Sequence, residues 1–483
     1  MRQKSMTVNL IANGIKTLMS VLFPLITFPY ASRILGASGI GKVDYARSII
    51  AYFALMASLG IGTYAVREGA RIRDNKEKFD KFAQEILHIN LVTTGIAYVF
   101  LFIFLRLPIL QEYHQLLIIS GASILCTTVG MEWLFTIKEE YQYITIRAIL
   151  FQILSLVLMF LLVRSHKDYA WYAALTVISS GGSAIMNLFY SRRFVTWRNK
   201  KKCEYRKHLK PIFLIFGTSL ASSIYMHMDT TMLGAIQGDV ATGIYSAAVK
   251  VNAIVGTLIG TISATILPRV SYYIGNDMKK EYEGLMKVSM DILLLISVPA
   301  AIGMMCTSDI LILLFSGEEF MSGTTAAKIL SARVIVGAVN RVLAYQVCTP
   351  YKKDKEVLVS TGGGAAFNLI ANVILIPIYG VTGAAIATFF SEIVVFLILM
   401  YYSGKILDVK RFYHRGIIYL IGSIPFFGIR LLAGLYCKNI VLVLGITVLG
   451  SMLLYFGILL IVRDPYLSAY KNKVLNKRPK SKR

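Results

Sequence analysis

Charge is scarce in this sequence, and acidic charge is the scarcer kind. Charged residues fill 16% of 483 positions, and 26 acidic residues stand against 51 basic ones. A soluble domain carries roughly 25% charged residues, so a soluble globular chain is excluded. Cysteine is thin as well. Cys126, Cys203, Cys306, Cys348 and Cys437 are scattered, odd in number and without a CxxC pair. That suggests neither a disulfide framework nor a zinc site. No GxGxxG feeds a βαβ unit, no GxxxxGK[ST] or HExxH occurs, and no loop is large enough for a catalytic domain. Enzymatic turnover is not expected, no catalytic residue is assigned, and neither a cofactor nor a metal is implied.

What fills the chain is apolar. Hydrophobic residues reach 56%, and mean hydropathy is +0.63. Runs long enough to span a bilayer as a helix, ~20 residues each, recur from end to end. They predict an all-α polytopic membrane protein, because open strands would leave backbone groups unpaired in hydrocarbon. About fourteen transmembrane helices are placed, over 9–31, 44–66, 84–105, 114–136, 143–164, 169–190, 209–234, 241–267, 286–306, 325–349, 357–376, 380–402, 414–434 and 439–463. The first run is too long for a signal-peptide core and lacks an A-x-A site, so it reads as a membrane helix.

The net charge of +25 sorts by side. Segments after even-numbered helices carry Arg67, Arg71, Arg73, Lys138, Arg192, Arg193, Arg198 and Lys200 to Lys202, then Lys279, Lys280, Lys352, Lys353, Lys355, Lys405, Lys410 and Arg411. The tail from Lys471 to Arg483 adds more. Segments after odd-numbered helices carry Arg33, Lys42, Arg106, Arg164, Lys167 and Lys438. Under the positive-inside rule both termini are cytoplasmic. The basic charge then records topology beside membrane lipids, and nucleic acid is not its partner. The loop 307–324, acidic through Glu318 and Glu319, is expected outside.

A basic linker at 191–208 divides the chain. It predicts two pseudo-symmetric six-helix lobes, 1–190 and 209–402, followed by two more helices within 403–463 and a basic tail at 464–483. An internal echo supports this. Leu35-Gly36 through Gly41, Tyr45-Ala46 and Arg47 is followed about 200 residues later by Leu233-Gly234, Gly243-Ile244-Tyr245 and Lys250. A parallel repeat about an axis along the membrane normal would produce it.

Ionisable residues at membrane depth are costly and face a cavity or one another. Lys16, Arg47, Lys250 and Arg333 come from both halves of the chain. Converging, they would make a cationic cavity suited to a phosphate or diphosphate. Asp229 and Glu392 would be their charge partners or a site for a coupling proton or cation. Asp44, Arg147, Asp291 and Arg341 lie near predicted helix ends and are expected to snorkel. Pro29 would help to end the first helix, while Pro24 and Pro299 can bend theirs. Gly181-Gly182 and Gly362-Gly363-Gly364 read as close-packing points.

Several segments occur together in order: Tyr30-Ala31-Ser32-Arg33-Ile34-Leu35-Gly36 with Gly41; Trp133, Tyr143 to Arg147 and Asp168-Tyr169; Asp229 to Gly234 with Gly243 to Ala248; and Pro377 to Thr388. In these the chain resembles the Wzx-type polysaccharide repeat-unit (O-antigen, capsule or exopolysaccharide) flippases of the multidrug/oligosaccharidyl-lipid/polysaccharide flippase superfamily. It departs at Thr136-Ile137-Lys138-Glu139, where that family's pattern leads one to expect a Gln-Gly-Leu-Glu-like stretch. The resemblance implies a multi-pass protein of the bacterial cytoplasmic membrane with two helix bundles around a cavity. It implies alternating-access movement of an undecaprenyl-diphosphate-linked oligosaccharide, with proton or sodium coupling. Glycosyltransferases and a membrane polymerase would be partners. Arg33, Gly36, Gly41, Arg147, Asp168 and Gly234 are the positions carrying the motif. Three other functions stand beside this one: a lipid-linked peptidoglycan-precursor flippase, a cation-coupled multidrug exporter and a non-transporting scaffold for glycosyltransferases.

Overall fold

The computed structural model describes residues 6–197, 203–408 and 415–466. The expected basic residues Arg198, Lys200 to Lys202, Lys410 and Arg411, the tail from 467 and residues 1–5 lie outside the described residues. Among the described residues there is no strand. The elements are α1 (Met6–Ser58), α2 (Ile61–Ile72), α3 (Lys76–Phe104), a 3₁₀ turn (Pro108–Tyr113), α4 (His114–Gly130), α5 (Glu132–Ile137), α6 (Tyr141–Leu162) and α7 (Tyr169–Ser191). They continue with α8 (Arg206–Gly275), α9 (Lys279–Ser316), a second 3₁₀ turn (Glu318–Gly323), α10 (Thr324–Val342), a π-helical turn (Leu343–Cys348), α11 (Asp354–Ser403), α12 (Gly416–Ser423), α13 (Phe426–Tyr436) and α14 (Ile440–Ile461). Ten helical stretches among the described residues are long and apolar enough to cross a membrane. The chain is a multi-pass membrane protein.

Three helices are broken at one glycine each: Gly36 (φ 68°, ψ −179°) in α1, Gly238 (φ 81°, ψ −169°) in α8 and Gly380 (φ 52°, ψ −126°) in α11. Positive φ here strains any residue with a Cβ. A straight helix of 70 residues would be about 105 Å long, against a hydrocarbon core of ~30 Å. The chain turns back instead. Across the α8 break the Tyr245 hydroxyl donates to Asp229 Oδ2 at 2.6 Å. Across the α11 break a Cβ on Gly383 would overlap the Leu375 carbonyl. Where the sequence predicts loops at 31–44, 234–241 and 376–380, helix continues to a single glycine elbow.

Other boundaries shift for local reasons. Both Pro24 and Pro29 lie inside α1, which continues to the Gly36 elbow, so Pro29 does not end its helix. The predicted span 44–66 breaks at Leu59 and Gly60, and 114–136 breaks at Met131, all three with positive φ. The helix α9 extends to Ser316, which leaves only a short turn of the expected loop 307–324. Gly182 is tightly packed, since a Cβ there would overlap the Phe151 ring, whereas a Cβ on Gly362 would meet nothing within 4 Å.

The chain divides into two compact units. The first comprises Met1–Ala247, Phe315–Gly323 and Thr361–Ala387; the second comprises Ala248–Leu314, Thr324–Ser360 and Thr388–Arg483. Val43, Ile49, Ala97, Leu117 and Ile124 form one core of the first unit, and Phe79, Ile86, Trp133, Phe135 and Ile212 form another. Met286, Met290, Leu293, Val342, Leu399 and Tyr419 centre the second. Lipid tails are as apolar as leucine, so these helices associate through close packing and buried hydrogen bonds. Val92, Val99, Phe102 and Ile103 of α3 and Leu449, Leu453 and Ile461 of α14 remain exposed, as a lipid-facing surface requires.

Within the first unit the two elbows pack together. A Cβ on Gly41 would overlap the Asp239 carbonyl, and a Cβ on Gly243 would overlap the Ala37 carbonyl. Small residues of this kind let membrane helices approach backbone to backbone.

Candidate functional site

A cavity of about 400 Å³ opens in the first unit. Its wall comes from α1 through Phe23, from the α4–α5 break through Gly130 and Glu132, and from α6 and α7. The left-handed Met131 (φ 42°) ends α4 and starts α5, which sets Glu132 at the rim. On α6, Arg147 and Gln152 are lining residues; on α7, Thr176, Ser179, Ser180, Ser183 and Asn187 recur on one face at helical spacing. Arg147 is only 5% exposed. The sequence places it near a helix end and expects it to snorkel. It turns inward instead, because Asn187 accepts from its guanidinium and Glu132 lies 3.9 Å away. The Tyr143 hydroxyl donates to the same Asn187 oxygen at 3.0 Å. Arg147 Nε and Gln152 Oε1 are buried without a hydrogen-bond partner.

The sequence-predicted cations gather here in part. Lys16 Nζ donates to Glu132 Oε1 at 2.6 Å, which ties it to the same acid as Arg147. Arg47 donates to the Thr176 hydroxyl, lies 3.7 Å from Asp44 and covers the Tyr172 ring at 5.0 Å. Glu132, the acid common to Lys16 and Arg147, is not singled out by the sequence. The available signal is that it is an acidic residue inside the predicted span 114–136.

In the second unit Arg333 on α10 donates to Glu392 Oε2 on α11 at 3.2 Å. Asn340 Nδ2 donates to Glu392 Oε1 at 3.0 Å and to its carbonyl at 2.9 Å. Arg333 and Asn340 both hold this carboxylate. Lys250, half-buried on α8, belongs to this unit as well. Asp229 is in the first unit, 6% exposed, with Asn372 Nδ2 donating to Oδ1 and Tyr245 to Oδ2, both at 2.6 Å. Asn372 Nδ2 also donates to Asn368 Oδ1 at 3.1 Å, and Asn372 Oδ1 is buried without a partner. Asp291, expected to snorkel, is 2% exposed and accepts from Tyr466 at 2.8 Å, with Arg415 3.6 Å away.

The motif positions have mechanical roles. Gly36 is an elbow, and Gly41 is its packing face. A Cβ on Gly234 would overlap the Tyr45 ring. The exposed Arg33 donates to the Pro29 carbonyl at 2.8 Å. Asp168 accepts from the backbone N–H of Arg164 at 2.9 Å and of Ser165 at 2.7 Å, and these bonds hold its carboxyl below the usual carboxylate range. On the basic face, Glu85 of α3 is fully buried and accepts from Glu204 N at 2.7 Å and pairs with His208 at 2.9 Å and Lys207 at 3.3 Å. This ties the start of α8 to α3. Burial of Lys138, with Lys76 nearby, lowers its pKa, whereas the Glu139 carboxylate raises that of Arg73.

Among the described residues no three His, Cys, Asp or Glu side chains form a group that could hold a metal ion. Residues 6–273 match the polysaccharide biosynthesis protein family model, and residues 215–374 match the MatE model. A putative O-antigen transporter of Escherichia coli (strain K12) is 24% identical over 390 residues, which cover 79% of this chain and 92% of that protein. A probable low-salt glycan biosynthesis flippase of Haloferax volcanii is 26% identical over 279 residues, covering 56% of this chain and 58% of that one. The fold is shared with a lipid II flippase MurJ structure in an inward closed conformation (TM-score 0.72, 15% identity, 95% of this chain and 100% of that chain). It is shared also with an inward-facing multidrug resistance MATE family transporter of the MOP superfamily (TM-score 0.59, 14% identity, 82% and 99%). The chain belongs to the polysaccharide biosynthesis protein family, and its fold is the one seen in these flippase and multidrug transporter structures.

Proposed function

We propose that this transporter carries undecaprenyl-diphosphate-linked oligosaccharide repeat units from the cytoplasmic to the outer leaflet of a bacterial inner membrane. The observation that carries this reading is the family match over 6–273, joined to an O-antigen transporter relative aligned over 92% of its length. The elbows at Gly36, Gly238 and Gly380 each divide a long helix into two spans, and α10 adds another beyond the ten apolar stretches; this supports fourteen helices. Gly36 and Gly238 are 202 positions apart, as are Gly41 and Gly243, which supports lobes at 1–190 and 209–402 related by a twofold axis.

In this mechanism Lys16, Arg47, Lys250 and Arg333 meet the diphosphate, and Lys16 is paired with Glu132 in its resting contact. Arg333 is paired with Glu392, and protonation of Glu392 would release the guanidinium to the phosphate oxygens. A carboxylate exchanging a proton for an anionic head group couples transport to a proton gradient. Asp229, bonded by Tyr245 and by Asn372, which also donates to Asn368, is the second coupling position, for a proton or sodium. Glycosyltransferases supply the substrate, and a membrane polymerase consumes it.

Deletion of the gene followed by lipid analysis tests the reading. Complete lipid-linked oligosaccharide should accumulate on the cytoplasmic leaflet and disappear when this gene alone is restored. Accumulation of peptidoglycan precursor alone would transfer the assignment to that substrate, and no accumulation of either would overturn it.

A further inference from the structure

We infer that the first-unit cavity is a glycosyl subsite, which binds a neutral pyranose ring of the substrate and not its diphosphate. This rests on the proposed function and adds where the sugar goes. The charged residues in the cavity wall are Glu132 and Arg147, and the neighbouring cations already have acids, Lys16 in Glu132 and Arg47 in Asp44. A diphosphate there would meet the Glu132 carboxylate at membrane depth, where like charges are costly. The wall is otherwise hydroxyls and amides: Thr176, Ser179, Ser180, Ser183, Gln152 and Asn187. Its spare capacity is split between donor and acceptor. Arg147 Nε has a proton to give, and Gln152 Oε1 has lone pairs to fill, and both are buried without a partner. A buried polar atom of this kind is costly until a ligand pairs it. A sugar hydroxyl donates and accepts at one oxygen, so a ring carrying several can satisfy both atoms together. A phosphate oxygen satisfies Arg147 and leaves Gln152 unpaired. Phe23 supplies an apolar wall for the ring's C–H face, and about 400 Å³ exceeds the space one pyranose needs.

The test uses the full chain in nanodiscs, with methyl pyranosides and, separately, inorganic pyrophosphate as probes. Saturation-transfer NMR should detect at least one pyranoside, and Gln152→Leu should cut that signal at least fivefold without changing pyrophosphate binding. Ser183→Ala, a smaller change, should cut it about twofold. Absence of any pyranoside signal, or a signal unchanged in both variants, overturns the subsite. So does pyrophosphate bound to the wild type and lost in Gln152→Leu. If the restored gene still clears accumulated lipid-linked oligosaccharide while the probes fail, the subsite alone falls.

A second, independent observation concerns the face opposite the basic loops. The geometry points to a reciprocal clasp that serves as the outer gate. The turn after α3 reaches the second elbow: the Tyr113 hydroxyl donates to Asp239 Oδ1 at 2.7 Å, and Glu112 accepts from Lys42, which lies 3.9 Å from Asp239. The turn after α9 reaches the first elbow: Glu319 Oε2 accepts from Ala37 N at 2.9 Å, and Phe315 stacks on Phe28 at 5.2 Å. Ala37 and Asp239 are 202 positions apart, so each turn holds the corresponding residue of the opposite elbow. Glu319 also places a carboxylate at a helical N-terminus, where the peptide dipoles favour it.

A Tyr113→Cys, Asp239→Cys pair, in a background with the five native cysteines replaced by serine, would test the clasp, since this contact joins the turn to the opposite elbow. Joined by a short bifunctional thiol reagent, it should lose at least tenfold of its lipid-oligosaccharide transport and regain it on reduction. Full transport by the completely cross-linked protein overturns the gate. So does inhibition that the reagent also causes in either single-cysteine protein.

Discussion

At membrane depth Glu132 holds two cations together. Lys16 and Arg147 converge on it, whereas Arg333 has its own acid in Glu392. Removing one partner of such a pair leaves an uncompensated charge, and that costs more than the pair contributes. Arg333→Glu should therefore lower transport at least tenfold while the protein still reaches the membrane, as read by flipping in cells alongside membrane immunoblots. Glu392→Gln should leave a transporter that no longer responds to a collapsed proton gradient, measured as flipping with and without an uncoupler. Retained sensitivity would move coupling to Asp229. Asp168 makes a different prediction. Its folded pKa is depressed, so its stabilisation is present above the unfolded value of about 3.9 and is lost as pH falls through the folded value. Asp168→Asn should lower the unfolding temperature at neutral pH, with the gap to wild type closing as the pH falls below about 4.

At the scale of elements, glycine sets where helices turn and how closely they cross. Gly238 has φ 81°, but a Cβ added there would meet nothing within 4 Å, so Gly238→Ala tests backbone strain alone. It should cost about 1–3 kcal/mol. Gly41→Ala would drive a methyl group into the Asp239 carbonyl and should cost about as much through overpacking. Gly256→Ala, in the same helix as Gly238 and with open space around it, should be neutral or stabilising by up to about 1 kcal/mol. Thermal unfolding in one detergent checks the series. The elbows were only half legible in the sequence. The echo from Leu35-Gly36 to Leu233-Gly234 signals a repeat, but which glycine takes positive φ depends on what packs against it. Gly36 and Gly238 turn the chain, whereas Gly234 lies against Tyr45.

For the whole molecule, the basic segments predict an orientation that native cysteines can read. On that prediction Cys203, which precedes α8, lies on the basic side, and Cys437, which follows α13, lies on the other. A membrane-impermeant maleimide applied to spheroplasts should label Cys437 and reach Cys203 only after lysis. The reverse pattern would invert the topology.

Apolar runs of span length determine by themselves that this chain is helical and lives in a membrane, since hydrocarbon offers the backbone no other partner. The alternation of basic and nearly charge-free segments likewise needs no fold to predict sidedness. Tertiary structure alone decided that Arg147 turns inward, that Glu132 binds two cations, and that Gly41 meets Gly243. The reason is distance along the chain. A span's composition is local, but the partner of a buried charge or a glycine face lies 15 to 202 positions away and is chosen by packing.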